Sequence, residues 1–396
     1  MKAIFCYDGP LYRDENGDYY DSILNDQMFQ RYFKVADELE LVIRIRQTEQ
    51  NVIGKRMNKL ENPKINVVEC PNLSSIGGLL KNTNRAKQLL KERIEQADLV
   101  FIRLPSVIGN YSVDICEKLG KKYLVEVVGC PWDSYWNYGL KGKLVAPMAA
   151  QLMRLKVKNA PYVLYVTNSF LQRRYPTKGK TINCSNVELQ PMTDDILNKR
   201  MSRIDDYNEK TRLIIGTAAG LDVKYKGQQY IIKALGELKK QGITDFEYHL
   251  IGGGSGDYLK HIAEECGVSE QVKIVGQMPH ENVFDWMDNI DIYAQPSRQE
   301  GLPRSMIEAM SRGLPCIGAR TAGIPELIDN KFIFSNSKSE IDEIAEILLK
   351  LRNDKELIRN TAVVNYEEAK KYQRDILVER RTKFFKGYAG VVENDL

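Results

Sequence analysis

Short runs of β-branched and aromatic residues alternate with longer amphipathic stretches along the whole chain, and this alternation leaves few folds open. Strands separated by ten or more residues of helical pattern pair in parallel, because the connection must cross over the sheet. In the first half the expected strands are KAIFCY (2–7), LELVIRIR (39–46), INVVEC (65–70), DLVFIRL (98–104), KYLVEVVG (122–129), YVLYVT (162–167) and NVELQ (186–190). Helical segments such as NRAKQLLKERIEQA (84–97) fall between them. The pattern restarts with TRLIIGT (211–217) and continues through FEYHLIG (246–252), QVKIVG (271–276), IDIYAQP (290–296) and LPCIGA (314–319). MTDDILNKRMSRIDDYNEK (192–210) is polar, lacks strand character and reads as a linker. The expected architecture is α/β: two Rossmann-like domains facing across a cleft. The expected divisions are 1–195, 196–370 and a C-terminal helix, 371–396, packing back on the first domain.

Length and composition agree with that reading. The 396 residues suffice for two or three cores. An apolar fraction of 43% and a charged fraction of 28% are those of a folded globular chain. No run approaches the roughly 18 apolar residues needed to span a bilayer. The start, MKAIFCYDGPLYRDENGDYY, turns acidic too soon for a signal peptide, so a cytoplasmic location is expected. Seven cysteines, scattered and without C-x-x-C spacing, point to reduced thiols, neither a zinc site nor a disulfide framework.

The net charge is only +4, but it is unevenly spread. Ser134 to Val187 contains no Asp or Glu and nine basic residues. Within KGKLVAPMAAQLMRLKVK (141–158), Leu144, Met148, Leu152 and Leu155 recur at helical spacing among these bases. Two arrangements have this pattern: a helix lying on an anionic membrane leaflet, and a core-packed helix with a solvated basic edge. Nothing here suggests nucleic acid as a partner.

Parallel sheets of this kind bind ligands beyond the carboxyl ends of their strands. In the second half those loops are GTAAGLDVKYKG (216–227), GGGSGD (252–257), GQMPH (276–280) and SRQEGLPRS (297–305). In the last, Pro303 suits the first position of a helix, where a missing N–H costs nothing. Leu302, Arg304 and Ser305 would then offer free amides at the positive end of a helix dipole, a site for a diphosphate. Glu300, just before the helix, and Glu308, seven residues intervening, would accept hydroxyls on either side of that anion. A nucleotide-sugar carries such hydroxyls on its sugar and its ribose, and a carboxylate grips them with charge-assisted bonds.

The string PSRQEGLPRSMIEAMSRGLPCIGARTAGIPELI (296–328) resembles the E-x7-E segment of retaining glycosyltransferases with the GT-B fold, the group called family 4. Their pattern is a PS-x-x-EG-x-x turn, LEAMA-x-G-x-PV, then a GG-x-x-E loop; Pro296, Ser297, Glu300, Gly301, Glu308, Ala309, Met310, Gly313, Pro315, Gly323 and Glu326 match it. The resemblance extends over most of 211–330. It implies that Lys226, in DVKYKG, neutralises the donor diphosphate and acts with Glu300 in catalysis. It also places Gly253, in the glycine loop, among the donor-binding residues. At the family's usual arginine this chain has Gly216 to Gly220, so a second phosphate cation would come from Arg304, Arg298 or Lys224. Gly9 stands where a family glycine lets the phosphate approach the backbone. The Asp8–Tyr20 segment reads as a long loop. The family often uses a first-domain histidine, whereas His249, His261 and His280 all lie in the second half. Trp132, Asp133 and Arg103 are the candidates to face the acceptor.

What the resemblance implies is transfer of a sugar from a UDP- or GDP-sugar to a glycan or lipid-linked glycan hydroxyl, with retention, as in bacterial surface polysaccharide synthesis. No Asp-x-Asp triplet occurs to hold a donor metal, and no cofactor is expected. Two other readings stay open: an epimerase or phosphorylase on the same architecture, and a non-catalytic nucleotide-sugar-binding protein.

Overall fold

The computed structural model describes residues 1–48, 57–208 and 211–391. The chain forms two compact units: Met1–Trp132, Lys143–Cys184 and Leu377–Leu396 in unit 1, and Asp133–Gly142 with Ser185–Ile376 in unit 2.

Unit 1 holds β1 (Lys2–Arg13), β2 (Tyr19–Asp21), β3 (Glu38–Gln47), β4 (Asn58–Lys59), β5 (Ile65–Glu69), β6 (Leu99–Leu104), β7 (Leu124–Val127), β8 (Tyr162–Tyr165) and β9 (Lys180–Asn183). The parallel strands run in the order β5-β3-β1-β6-β7-β8-β9, with β2 and β4 added antiparallel at the far end of β1. β1 starts the sheet, and the chain builds outward from it in both directions. β1 and β6 therefore flank the point where strand order reverses. Unit 2 contains β10 (Leu213–Ala218), β11 (Phe246–Ile251), β12 (Val272–Gly276), β13 (Ile292–Gln295), β14 (Cys316–Ala319) and β15 (Ile333–Phe334). Their order is β12-β11-β10-β13-β14-β15, all parallel, so the reversal falls between β10 and β13. Such a switch point parts two successive loops and opens a crevice beyond the strand ends.

Several expectations are corrected. β1 continues to Arg13 and turns back into β2, so Asp8–Tyr20 is a hairpin. Asp14 pins its turn by accepting the amides of Asn16 and Asp18 at 3.0 and 2.9 Å. The strand expected at 186–190 is absent and its place is taken by β9, at 180–183. The linker expected at 192–210 is a helix, Asp194–Asp205, of unit 2; residues 209 and 210 lie outside the described residues. Its Arg200 is buried and donates to the carbonyls of Ile290 (2.6 Å), Met287 (2.9 Å) and Arg312 (3.2 Å). The division placed after residue 195 accordingly falls at Cys184.

In the helix Arg374–Ala389, Phe385 and Tyr388 pack on Phe101 of β6, tilted and edge-on, with ring centroids 5.0 and 5.4 Å away, and the Tyr388 hydroxyl accepts from Val100 N at 2.7 Å. Residues 392–396 lie outside the described residues. All seven cysteines are free, and burial pushes the Cys6 and Cys70 thiols up to about 12.

Candidate active site

The loops after β10 and β13, which flank the switch point of unit 2, are locked together by backbone. Gly227 follows Lys226 with φ +80°, and a Cβ there would lie 2.0 Å from the Pro296 carbonyl oxygen. Only glycine permits that approach. The Arg298 amide also donates to the Tyr225 carbonyl at 2.7 Å. Lys226 and Glu300 are thereby brought face to face. The ammonium donates to Glu300 Oε1 at 2.7 Å, with the side chains 25% and 12% exposed. Gln295, buried at the end of β13, donates to the same oxygen at 3.0 Å and to Ser297 Oγ at 2.8 Å. Its own carbonyl accepts from Ser305 Oγ and the Tyr293 hydroxyl, each at 3.2 Å. Among the described residues Glu300 Oε2 accepts no hydrogen bond, and Lys226 keeps two donors beyond the one it gives.

The helix after this turn is Arg304–Ser311, with Pro303 at its N-cap rather than the first helical position, and no side chain caps it. Its first-turn amides, from Arg304 and Ser305, are available at the positive end of the dipole. Leu302 is buried and Arg304 exposed, without an ion pair among the described residues. Glu308, 7% exposed, lies 3.4 Å from His280 Nε2 through its Oε1. That hydrogen bond raises the imidazole above its ordinary value, against the opposing pull of partial burial.

The other candidates are placed as follows. The Arg298 guanidinium is held by Glu340 and Asn336 and lies 4.3 Å over the Tyr230 ring. Lys224 lies 4.5 Å over the Tyr258 ring. The Gly253 carbonyl accepts from Leu221 N at 2.9 Å, which holds the glycine loop against the loop after β10. Asp222 of that loop accepts the Ser255 and Gly256 amides at 3.0 Å each; these bonds keep its carboxyl below the ordinary value. Asp133 belongs to a short helix, Pro131–Trp136, and this segment meets the turn that follows β13. Asn137 Nδ2 donates to the Arg298 carbonyl at 3.0 Å, and Gln299 Nε2 to Ser134 Oγ at 2.9 Å.

In unit 1, Trp132 is half-buried, with the Arg174 guanidinium 5.5 Å from its ring. Gly9 has φ +50°, and a Cβ would sit 2.6 Å from Ile43 Cγ1, so packing against β3 requires glycine there. Arg103 does not face an acceptor. It is 5% exposed, donates twice to Glu126 Oε2 at 2.7 and 3.1 Å, and lies over the Phe5 ring at 5.0 Å. Burial pushes the Glu126 carboxyl up, but Arg103 and Arg31 outweigh it and hold it below the ordinary value.

Gln295, His280 and Asp222 were not among the residues singled out from the sequence. A glutamine closing the otherwise apolar IYAQ strand was a usable sign; the other two lie in the strand-end loops GTAAGLDVKYKG and GQMPH, where nothing set them apart from their neighbours. A cavity of about 520 Å³ elsewhere in unit 2, bordered by Tyr207, Asp245, Arg352 and Lys355, includes none of the site residues. Among the described residues no three His, Cys, Asp or Glu side chains group as a metal site.

The two α/β units have the fold of GT-B glycosyltransferases: sucrose-phosphate synthase from Thermosynechococcus elongatus superposes with a TM-score of 0.67 over 99% of both chains, at 13% identity. Residues 203–370, which lie within unit 2, match the family Glycosyl transferases group 1. Protein CapJ of Staphylococcus aureus is 27% identical across 98% of this chain and 92% of its own. The amylovoran biosynthesis glycosyltransferase AmsK of Erwinia amylovora is 35% identical over 32% of this chain and 33% of its own.

Proposed function

We propose that this protein is a retaining, metal-independent hexosyltransferase. It moves a sugar from a UDP- or GDP-sugar to a hydroxyl of a glycan or lipid-linked glycan, in the cytoplasm of a bacterium building surface polysaccharide. The observation that carries the proposal is the Lys226–Glu300 pair at the switch point of unit 2, beside an uncapped helix N-terminus. As the bond from anomeric carbon to phosphate oxygen breaks, negative charge grows on the departing diphosphate. Lys226, fixed by Glu300, the amides of Arg304 and Ser305, and the Arg304 guanidinium meet that charge without rearrangement. Arg304 is the best placed of the three candidate second cations, because Arg298 and Lys224 are engaged elsewhere.

Glu300 Oε2 accepts a hydroxyl of the sugar, and Glu308 accepts the ribose hydroxyls. With Lys226 and Gln295 both on its Oε1, Glu300 is tied as an orienting group, not a nucleophile. The acceptor hydroxyl then attacks from the side the diphosphate leaves, and a phosphate oxygen takes its proton. Trp132 and Asp133 are the acceptor-side residues of this proposal; Arg103, sealed in a core, is withdrawn. Gly253 shapes the glycine loop beside the phosphates, and Gly9, within β1, keeps the donor-side role the resemblance implies. The likeness to a glycosyltransferase of amylovoran biosynthesis supports the polysaccharide setting.

The test is turnover of a panel of UDP- and GDP-sugars in EDTA, with the fresh product read by NMR for its anomeric coupling. One donor should react at an undiminished rate and give the donor's own anomeric configuration. Inversion, or loss of all activity in EDTA, would overturn the reading.

A further inference from the structure

The helix Gly139–Lys158 is apolar on two opposite faces. Its inward stripe, Gly142, Ala146, Met153 and Val157, is buried and secures it to the protein. On the opposite side Leu140, Leu144, Met148 and Leu155 are 82%, 78%, 73% and 54% exposed, and Leu152 joins them at 42%. At 100° per residue the outward set falls in one stripe directed away from the buried one. Lys141 falls within one edge of the stripe, between Met148 and Leu152, Lys143 and Arg154 border the other edge, and all three are exposed. Tyr135, Trp136 and Tyr138, also exposed, lead into it. The core-packed arrangement left open by the sequence is thereby removed, since the four residues at helical spacing all turn outward.

From these observations we infer that this face docks on an anionic lipid bilayer. The occupant follows from charge and chemistry together. A stripe of large apolar side chains about 22 Å long, at 1.5 Å per residue, matches a helix lying in the plane of a membrane interface. The bordering bases meet lipid phosphates, and the absence of any Asp or Glu from Ser134 to Val187 leaves nothing on the segment to be repelled. The exposed aromatic side chains that precede the helix in sequence suit the headgroup level, where one end of the ring is wet and the other apolar. Among the described residues no helix is long and apolar enough to cross a membrane, so the attachment is peripheral. A protein partner with the same shape would need a matching acidic rim, and a second copy of this basic face does not supply one.

The inference does not rest on the transfer reaction. Vesicle binding and turnover of a water-soluble acceptor are separate measurements, and either can fail alone. The full chain is sedimented with vesicles of phosphatidylcholine alone or with 30% phosphatidylglycerol, at low and high salt, beside Leu144→Asn/Met148→Asn and Lys141→Gln/Lys143→Gln. Binding to the anionic vesicles should exceed binding to the neutral ones at least tenfold and fall about tenfold at high salt. Each double variant should lose about tenfold while keeping the wild-type unfolding midpoint. Equal partitioning onto both vesicle types, or none onto either, would overturn the inference. So would a dimer in light scattering that Leu144→Asn/Met148→Asn dissolves, because the face would then be covered by a second copy.

Discussion

The two units solve the same topological problem in opposite ways. In unit 1 the helix at the switch point, Val107–Leu119, has its first amides taken by the protein itself. Asp8 accepts from Val107 N at 2.6 Å and Ile108 N at 2.9 Å, and Ser106 Oγ from Gly109 N at 2.8 Å. The cation at the end of β6, Arg103, is buried against Glu126. In unit 2 the corresponding helix, Arg304–Ser311, has no side-chain cap, and its cation–carboxylate pair, Lys226 with Glu300, remains partly open. An anion can be received where a helix terminus and a cation are left available, and of these two switch-point helices the one in unit 2 leaves both. A charged pair near a strand end is thus not a sign of chemistry until its burial is known.

The largest effect that tests this contrast is on stability. Arg103→Ala takes from the buried Glu126 the cation that donates to it, leaving only the neighbouring Arg31, and should cost about 3–5 kcal/mol in denaturant unfolding. Arg103→Met with Glu126→Leu should recover part of it, because an apolar pair removes the stranded carboxylate, while the Tyr32 hydroxyl and Arg31 lose Glu126 as a partner. If Arg103→Ala instead abolished turnover in a chain of wild-type stability, the division into a structural and a chemical pair would break. Next comes Lys226→Ala, expected to lower kcat by roughly 100- to 1000-fold, the scale seen for loss of one preorganised group at developing charge. The unfolding midpoint should hardly move, since the pair is partly solvated and such pairs contribute about 1 kcal/mol or less. Turnover close to wild type would remove the lysine from the site.

The smallest effect belongs to the most exposed pair, His280 with Glu308. The imidazole is raised in the folded protein, so the stability the pair contributes is present below the ordinary histidine pKa and is lost as pH rises through the folded value. With His280 at 65% exposure, that contribution should stay under about 1 kcal/mol. An NMR titration should find His280 above the ordinary value and Glu308→Gln should bring it back down. An imidazole indifferent to Glu308→Gln would show that the two side chains do not meet in solution.

Much of the fold was legible in the sequence because every central strand is a short apolar run between amphipathic segments. The failures have specific causes. Helix Asp194–Asp205 looked like a linker because the residue it buries deepest beside Ile204 is an arginine, satisfied by carbonyls from distant residues. β15 has only two residues, too few to show a period. In the site, the two glutamates and Lys226 stood out by pattern, yet Arg103 was misread for the opposite reason. Its charge was visible in FIRLPS, while the carboxylate that neutralises it comes from another strand, 23 residues away in sequence. Gln295 was hidden because its importance lies in bridging Ser305, Ser297 and Glu300, which only the folded loops bring together.

The tight seat of Gly227 has a bearing on anyone wishing to retailor the enzyme. Every other amino acid would drive a carbon atom into the Pro296 carbonyl, 2.0 Å away. Saturation libraries aimed at a different sugar preference should therefore hold this residue fixed, together with Lys226 and Arg304, and spend their diversity elsewhere. Randomised along with the rest, position 227 would fill such a library with clones that have lost the lysine's placement before any new substrate is offered.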